Sequence, residues 1–215
     1  ETNPEYGKSP KDRTVEELIN SAVIITDKHS GPTSHQVSAW DRDIFDVKSG
    51  GHSGTLDPSV TGVLPVALEN ATKVMPVLTG LDKEYIGVMH LHKEVPEDIL
   101  RNMIIEKFIG KIRQRPPVKS AVARVERERE IYFFDILEID GKDVLFKVGC
   151  EAGTYIRKLC HDIGQALKAG AHMSELRRTK VGNFTEEQTH SLVDIRDAYE
   201  FWKEDKDETN LRKIL

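Results

Sequence analysis

Two apolar runs, Ile131 to Ile139 and Val144 to Val148, are separated by a short polar break beginning Asp140-Gly141. An Asp-Gly step between apolar runs is a strong hairpin signal, because glycine reaches the positive-φ backbone that a two-residue turn demands. A chain carrying such a ribbon commits to antiparallel pairing. That argues against a doubly wound, purely parallel sheet.

Other segments fit the same picture. Ala22 to Thr26 and Val63 to Leu68 read as buried strands. Tyr85 to Leu91 alternates, with Tyr85, Gly87, Met89 and Leu91 on one face. Helices are expected in four places. Thr33-Ser34 caps a segment placing Val37, Trp40, Ile44 and Phe45 on one face. Pro96 stands as the first helical residue before a stripe of Ile99, Met103, Ile104 and Phe108. Tyr155 to Leu167 buries Ile156, Leu159, Cys160, Ile163 and Leu167, and Ser191 to Trp202 forms a further helix. Strands in adjacent pairs, mixed with helices, predict an α+β fold with a mixed, largely antiparallel central sheet flanked by helices and loops.

At 215 residues the chain exceeds one average domain and falls short of two. The expected division is a flexible tail over 1–13 and one folded domain over 14–215. Hydrophobic residues at 38% supply a core and exclude a largely disordered chain. No run of 18 apolar residues exists, so no membrane helix is expected. The polar start has no secretory character, and two cysteines, Cys150 and Cys160, suit a reducing intracellular compartment.

The net charge of −5 hides an uneven distribution. Lys107 to Arg129 holds eight Lys or Arg against two Glu, and Thr154 to Gly182 holds six against two acids. Glu186 to Glu208 holds three against nine. A basic stripe is the footprint of phosphate contacts, although a solvated charged face produces the same count. Arg124, Arg127 and Arg129 alternate with Glu126, Glu128 and Glu130, which suits the solvated face.

The most unusual segment is Gly50 to Leu64, GGHSGTLDPSVTGVL, with four glycines around one carboxylate, Asp57. Gly54 allows tight or left-handed backbone. Pro58 drives Asp57 out of the helical region and removes a donor just after it. An acid on a stiff loop results, and an ordinary Asp-Pro turn looks the same in isolation.

This segment, continued to Val74, resembles the catalytic motif of the TruB-type pseudouridine synthases, which isomerise uridine to pseudouridine in RNA. Further segments match in order. They are DKHSGPTS from Asp27, Lys83-Glu84-Tyr85, RPPVKSA from Arg115, GTYIRKLCHDIGQAL from Gly153 and LRRTKVGNF from Leu176. The wording of HSGTLDPSVTGVLPVAL and RPPVKSAV is most similar to the archaeal and eukaryotic box H/ACA guide-RNA branch, which includes dyskerin. Bacterial-type tRNA enzymes tend to have Gly where Ser53 stands. His29 and Ser30 depart from the common pattern of the first motif.

The resemblance implies catalytic roles for Asp57, Tyr85 and Arg157, with Ile156, Leu176, Lys28 and His52 binding substrate or supporting the loop. An ionised carboxylate acts as nucleophile or base beside a developing sugar cation. A guanidinium favours that ionised form and fixes its orientation. A tyrosine ring stacks on a detached uracil, and its hydroxyl assists proton removal from C5. The target uridine must be flipped out of its stack. The implied partners are substrate RNA, a guide RNA and small protein subunits of the particle, with no membrane. The implied location is intracellular, cytoplasmic in an archaeon and nucleolar in a eukaryote. Family members usually carry a C-terminal PUA domain, which is not expected within this chain. A stand-alone tRNA enzyme and a non-catalytic RNA-binding scaffold are the alternatives.

No cofactor and no metal are expected. Cys150 and Cys160-His161 lack zinc-ligand spacing, His90 and His92 lack an acidic neighbour in sequence, and the glycines of Gly50 to Gly54 are not followed by the Gly-Lys-Ser/Thr of a phosphate loop.

Overall fold

The computed structural model describes residues 7–116 and 125–215. In chain order, α1 (Val15–Ile19) leads into β1 (Val23–Lys28), and α2 (Ser34–Ile44) follows. A short β2 (Gly50–His52) and the long β3 (Thr61–Leu68) flank the Asp57 loop. Then come α3 (Met75–Thr79), β4 (Lys83–Leu91), α4 (Glu97–Lys107), β5 (Gly110–Gln114), β6 (Arg127–Asp140) and β7 (Asp143–Cys150). The chain ends with α5 (Ile156–Ala166), β8 (Ala171–Val181), β9 (Phe184–Thr185), α6 (Leu192–Asp205) and α7 (Leu211–Ile214).

The strands form one mixed sheet in the order β1-β3-β8-β4-β7-β6-β5, with β2 against β3 and β9 against β8. Its ladders are antiparallel except for the brief parallel joint Thr61↔Arg177 and Gly62↔Arg178. This is the α+β, largely antiparallel fold expected. The β6–β7 ribbon is present one residue out of step with the Asp-Gly step: Asp140 pairs with Asp143, and Gly141 and Lys142 make the turn. Gly141 takes φ +56 at the first turn position, where a Cβ would be strained.

Two apolar clusters lie on either side of β8. One joins β4, β6 and β7 to α4 and α5 through Met89, Leu100, Ile104, Phe146, Leu159 and Ile163. The other joins β1 and β3 to α1, α2, α6 and α7 through Ile24, Val37, Leu64, Ile195 and Leu211. The alternation read in β4 holds, since Tyr85, Met89 and Leu91 are all buried. The α5 stripe is also as read, with Ile156, Leu159, Cys160 and Ile163 buried and Leu167 half-buried.

Two helix faces differ from expectation. In α2 the buried residues are Ser34, Val37, Ser38 and Asp41, while Trp40 is exposed beside His29. The cause is polar: Ser34 hydrogen-bonds the Asp57 loop and Asp41 accepts from Thr26. An inward face that serves polar partners does not show as an apolar stripe. In α4 the inward residues are Leu100 and Ile104, Ile99 is half exposed, and Pro96 is the cap rather than the first helical residue. β8 had no strand signal at all. Its burial does not alternate, because bulges interrupt its pairing with β4.

Candidate active site

Ser53 to Val60 connects β2 to β3, and its main chain is tied down from several directions. Leu56 N donates to Ser34 Oγ at 2.8 Å, and Ser34 Oγ donates to Leu56 O at 3.1 Å. Gly31 N donates to Pro58 O at 2.9 Å, and Val60 N closes on Asp57 O at 3.0 Å. Lys28, wholly buried, donates from Nζ to Val60 O at 2.7 Å, Pro58 O at 2.9 Å and His29 O at 3.0 Å. Three carbonyls use all three ammonium donors, so a cation can stay in the interior. Burial lowers the Lys28 pKa and the nearby Asp57 charge opposes that shift. Leu56 and Val60 anchor the loop in the apolar cluster that contains Tyr85 and Ile156.

Asp57 therefore rides on a braced bend, half exposed at 53%. Arg157, on the first turn of α5, reaches it from 100 residues along the chain, with Nη2 to Oδ2 at 2.6 Å. Arg157 is 58% exposed, so its side chain stands largely in solvent although Ile156 beside it is buried. An exposed pair adds little stability, and its consequence here is orientation. Oδ1 has no partner among the described residues and is open to an incoming group.

Tyr85 is buried on β4 and packs in the cluster with Ile156, with Leu176 half-buried against it. Gly87 makes room for Leu176, whose Cδ1 lies 2.8 Å from where a glycine Cβ would stand. His52, on β2, has a buried Nδ1 without a partner among the described residues. Burial first, then the charges of His35 and Arg178, lowers its pKa and favours the neutral ring. Asp57 and Arg157 thus meet directly, Lys28 lies beneath their loop, and Tyr85, Ile156 and Leu176 share one apolar wall.

Sequence reasoning missed two buried cations next to this wall. Arg178 is only 1% exposed and donates to Val63 O at 2.8 Å and to Gly54 O at 3.0 Å. It faces Tyr85 directly across the β4–β8 ladder. Lys83, also buried, bonds Thr79 O at 2.7 Å and the carbonyl of Leu81. Burial, then the Arg178 charge, pushes its amine down to about 8. The available signals were Lys83 in the Lys83-Glu84-Tyr85 segment and the Arg177-Arg178 pair inside LRRTKVGNF.

Other features recede. Much of the basic stripe is engaged in ion pairs, including Lys111–Glu128 at 2.9 Å, Arg113–Glu126 at 3.9 Å and Arg129–Glu151 at 4.0 Å. Most of RPPVKSA, along with Arg124, lies outside the described residues. Across the sheet Asp143 Oδ1 sits 2.6 Å from His90 Nδ1, a single acidic neighbour. Among the described residues no group of three His, Cys, Asp or Glu is placed to hold a metal ion. Burial pushes both thiols up to about 12, which leaves Cys150 and Cys160 unreactive. A concavity lined by Glu16, Phe45, Tyr199 and Trp202 shares no residue with the Asp57 site and offers no constrained acid–base pair. No helix among the described residues is long and apolar enough to cross a membrane.

The chain is similar in sequence and fold to known proteins. Residues 42–156 match the family described as TruB family pseudouridylate synthase (N terminal domain). Residues 157–215 match the tRNA pseudouridylate synthase B C-terminal domain, and 1–38 the DKCLD (NUC011) domain. The Asp57–Arg157 pair joins the first two regions. A Methanopyrus kandleri protein named "Probable tRNA pseudouridine synthase B" is 57% identical over 215 residues, all of this chain and 63% of that protein. A Methanothermobacter thermautotrophicus protein of the same name is 57% identical over 214 residues, covering 66% of its length. The chain therefore spans about two thirds of the length of these relatives. Among solved structures, a Cbf5-Nop10-Gar1 complex superposes with TM-score 0.95 at 54% identity, covering 100% of this chain and 65% of the other. An H/ACA RNP bound to a substrate RNA containing 2'-deoxyuridine gives TM-score 0.90 at 52% identity, covering 100% and 64%. With a family match over more than half its length and relatives this similar along all of it, the chain belongs to the TruB family of pseudouridylate synthases.

Proposed function

We propose that this chain carries the catalytic centre of an RNA pseudouridine synthase, with 14–215 as its catalytic unit. The observation that carries the reading is the contact between Arg157 and Asp57, which positions a half-exposed carboxylate beside an apolar wall containing Tyr85. The reaction breaks the C1′–N1 glycosidic bond of a flipped uridine, turns the base and forms a C1′–C5 bond. The C5 proton leaves to solvent, so no oxidant or co-reactant is needed. Asp57 acts on the sugar as nucleophile or as base, and either role needs the ionised form that Arg157 faces. Tyr85, Ile156 and Leu176 pack against the detached base, and a dry wall strengthens the charge interactions beside it. Lys28 supports the loop, and His52, on β2 just before the loop, is assigned as a neutral substrate contact.

The solved relatives are Cbf5 in complexes with Nop10, Gar1 and substrate RNA. They support a guide-RNA particle with small protein subunits, acting inside the cell. The names of the archaeal relatives support a second reading, a stand-alone tRNA enzyme. Release of C5 tritium from labelled RNA separates the two. Dependence on guide RNA and small subunits supports the particle, and turnover of tRNA without them supports the second reading. No release under either condition, from the wild-type protein, overturns both.

A further inference from the structure

Arg178 is a cation buried in the middle of the sheet with no carboxylate to balance it among the described residues. The titratable group that faces it across the sheet is Tyr85, its register partner on β4. Its remaining contacts are main-chain carbonyls: Val63 O at 2.8 Å, Gly54 O at 3.0 Å and a longer reach of 3.5 Å to Ser53 O. Burying an unpaired guanidinium is costly, and an apolar residue would fill the site without that penalty. A role for the charge itself is indicated.

Geometry narrows that role. Arg178 and Tyr85 are register partners across β8 and β4, while Gly54 and Ser53 belong to the loop that carries Asp57. Gly54, at φ +67, has no side chain to block the approach: a Cβ there would stand 3.1 Å from Arg178 Nη1. One planar side chain thus ties the tyrosine to the start of the aspartate loop. A guanidinium only donates, so the tyrosine oxygen must accept on that side and turn its own O–H elsewhere.

We infer that Arg178 is a positioning residue of the TruB-type reaction, a single buried fork that spaces the Tyr85 hydroxyl against the Asp57 loop and dictates which way that hydroxyl presents its proton. The inference rests on the catalytic reading above and deepens it. Burial pushes the Tyr85 phenol above its ordinary range, and the Arg178 charge pulls it back. Removing the charge therefore makes the phenol a weaker acid, and an unchanged titration would show that the two groups do not interact.

The test uses Arg178→Lys and Arg178→Met in the full chain, assembled with substrate RNA and whatever guide and small subunits the wild type requires. Lysine keeps the charge and loses the fork. The expected result for Arg178→Lys is a kcat about 10-fold lower or more, with KM within about threefold, and a basic limb of the pH–rate profile that changes position. Arg178→Met is expected to move the Tyr85 titration, followed by NMR and assigned against Tyr85→Phe, to higher pH. Should the methionine variant not fold, a thermal-stability cycle of Arg178→Lys with Tyr85→Phe decides. Coupling between them supports the inference, and strict additivity overturns it. A folded Arg178→Lys protein with wild-type kcat and pH profile also overturns it. A wild-type protein that makes no pseudouridine overturns the catalytic reading instead, while the tyrosine titration and the stability cycle still judge Arg178.

Discussion

The Asp57–Arg157 pair and the Lys28 clamp are both charge interactions, and their environments make opposite predictions. Arg157 and Asp57 stand half in water, where an ion pair contributes about 0–1 kcal/mol. Arg157→Ala should therefore leave the urea midpoint almost unmoved and cut turnover by about 100-fold or more, because the carboxylate loses its orientation. A large stability loss, or unimpaired tritium release, would contradict this. Lys28 is buried and satisfies three carbonyls at once. Lys28→Met strands those carbonyls, and about 2–4 kcal/mol of stability should be lost in urea denaturation. The Asp57 loop was legible as an unusual motif in sequence because its Gly and Pro are local backbone signals. Arg178 was not, because a buried charge has no periodic signature and reads like a solvated one.

At the scale of elements, the joint between β3 and β8 is the tightest constraint near the site. Gly62 takes φ +107 there, and a Cβ would stand 2.1 Å from the main-chain oxygen of Arg178. Gly62→Ala should cost about 3 kcal/mol or more, since the clash is with backbone that cannot rotate away. Gly141, at φ +56 in the β6–β7 turn, has nothing within 4 Å of that position. Gly141→Ala should cost about 1 kcal/mol, from the left-handed backbone alone. Thermal melts of the two variants check the contrast, and equal losses would rule out the close approach as the cause. The β6–β7 ribbon, β4 and α5 were readable because turn chemistry and side-chain period are local properties. β8 was not. Its bulged ladder with β4 and its parallel contact with β3 depend on partners 80 to 116 residues away.

On the scale of the whole molecule, stability carries a pH dependence from the second apolar cluster. Asp41 on α2 is fully buried, accepts from Thr26 Oγ1 at 2.8 Å and leaves Oδ1 without a partner among the described residues. Burial pushes its carboxyl up to about 7, with the Thr26 hydrogen bond opposing. The unfolded chain releases this proton near pH 4, and the folded chain holds it to about 7. The contribution to stability is thus complete below about pH 4 and is lost as pH rises through 7. Asp41→Asn should gain stability over wild type at pH 8, by at most about 4 kcal/mol, and not at pH 4. Denaturation at the two pH values tests this, and a gain independent of pH would locate the effect elsewhere.

The amino-acid sequence by itself determined the α+β class, the central hairpin and an acid on a proline-stiffened loop. Those follow from φ preferences and periodicities that act over a few residues. Only the tertiary structure decided that Arg157 meets Asp57 across 100 residues, and that Lys28 and Arg178 support the loop from within. Those contacts depend on which strands become neighbours, and burial, rather than residue type, separates a structural cation from a solvated one.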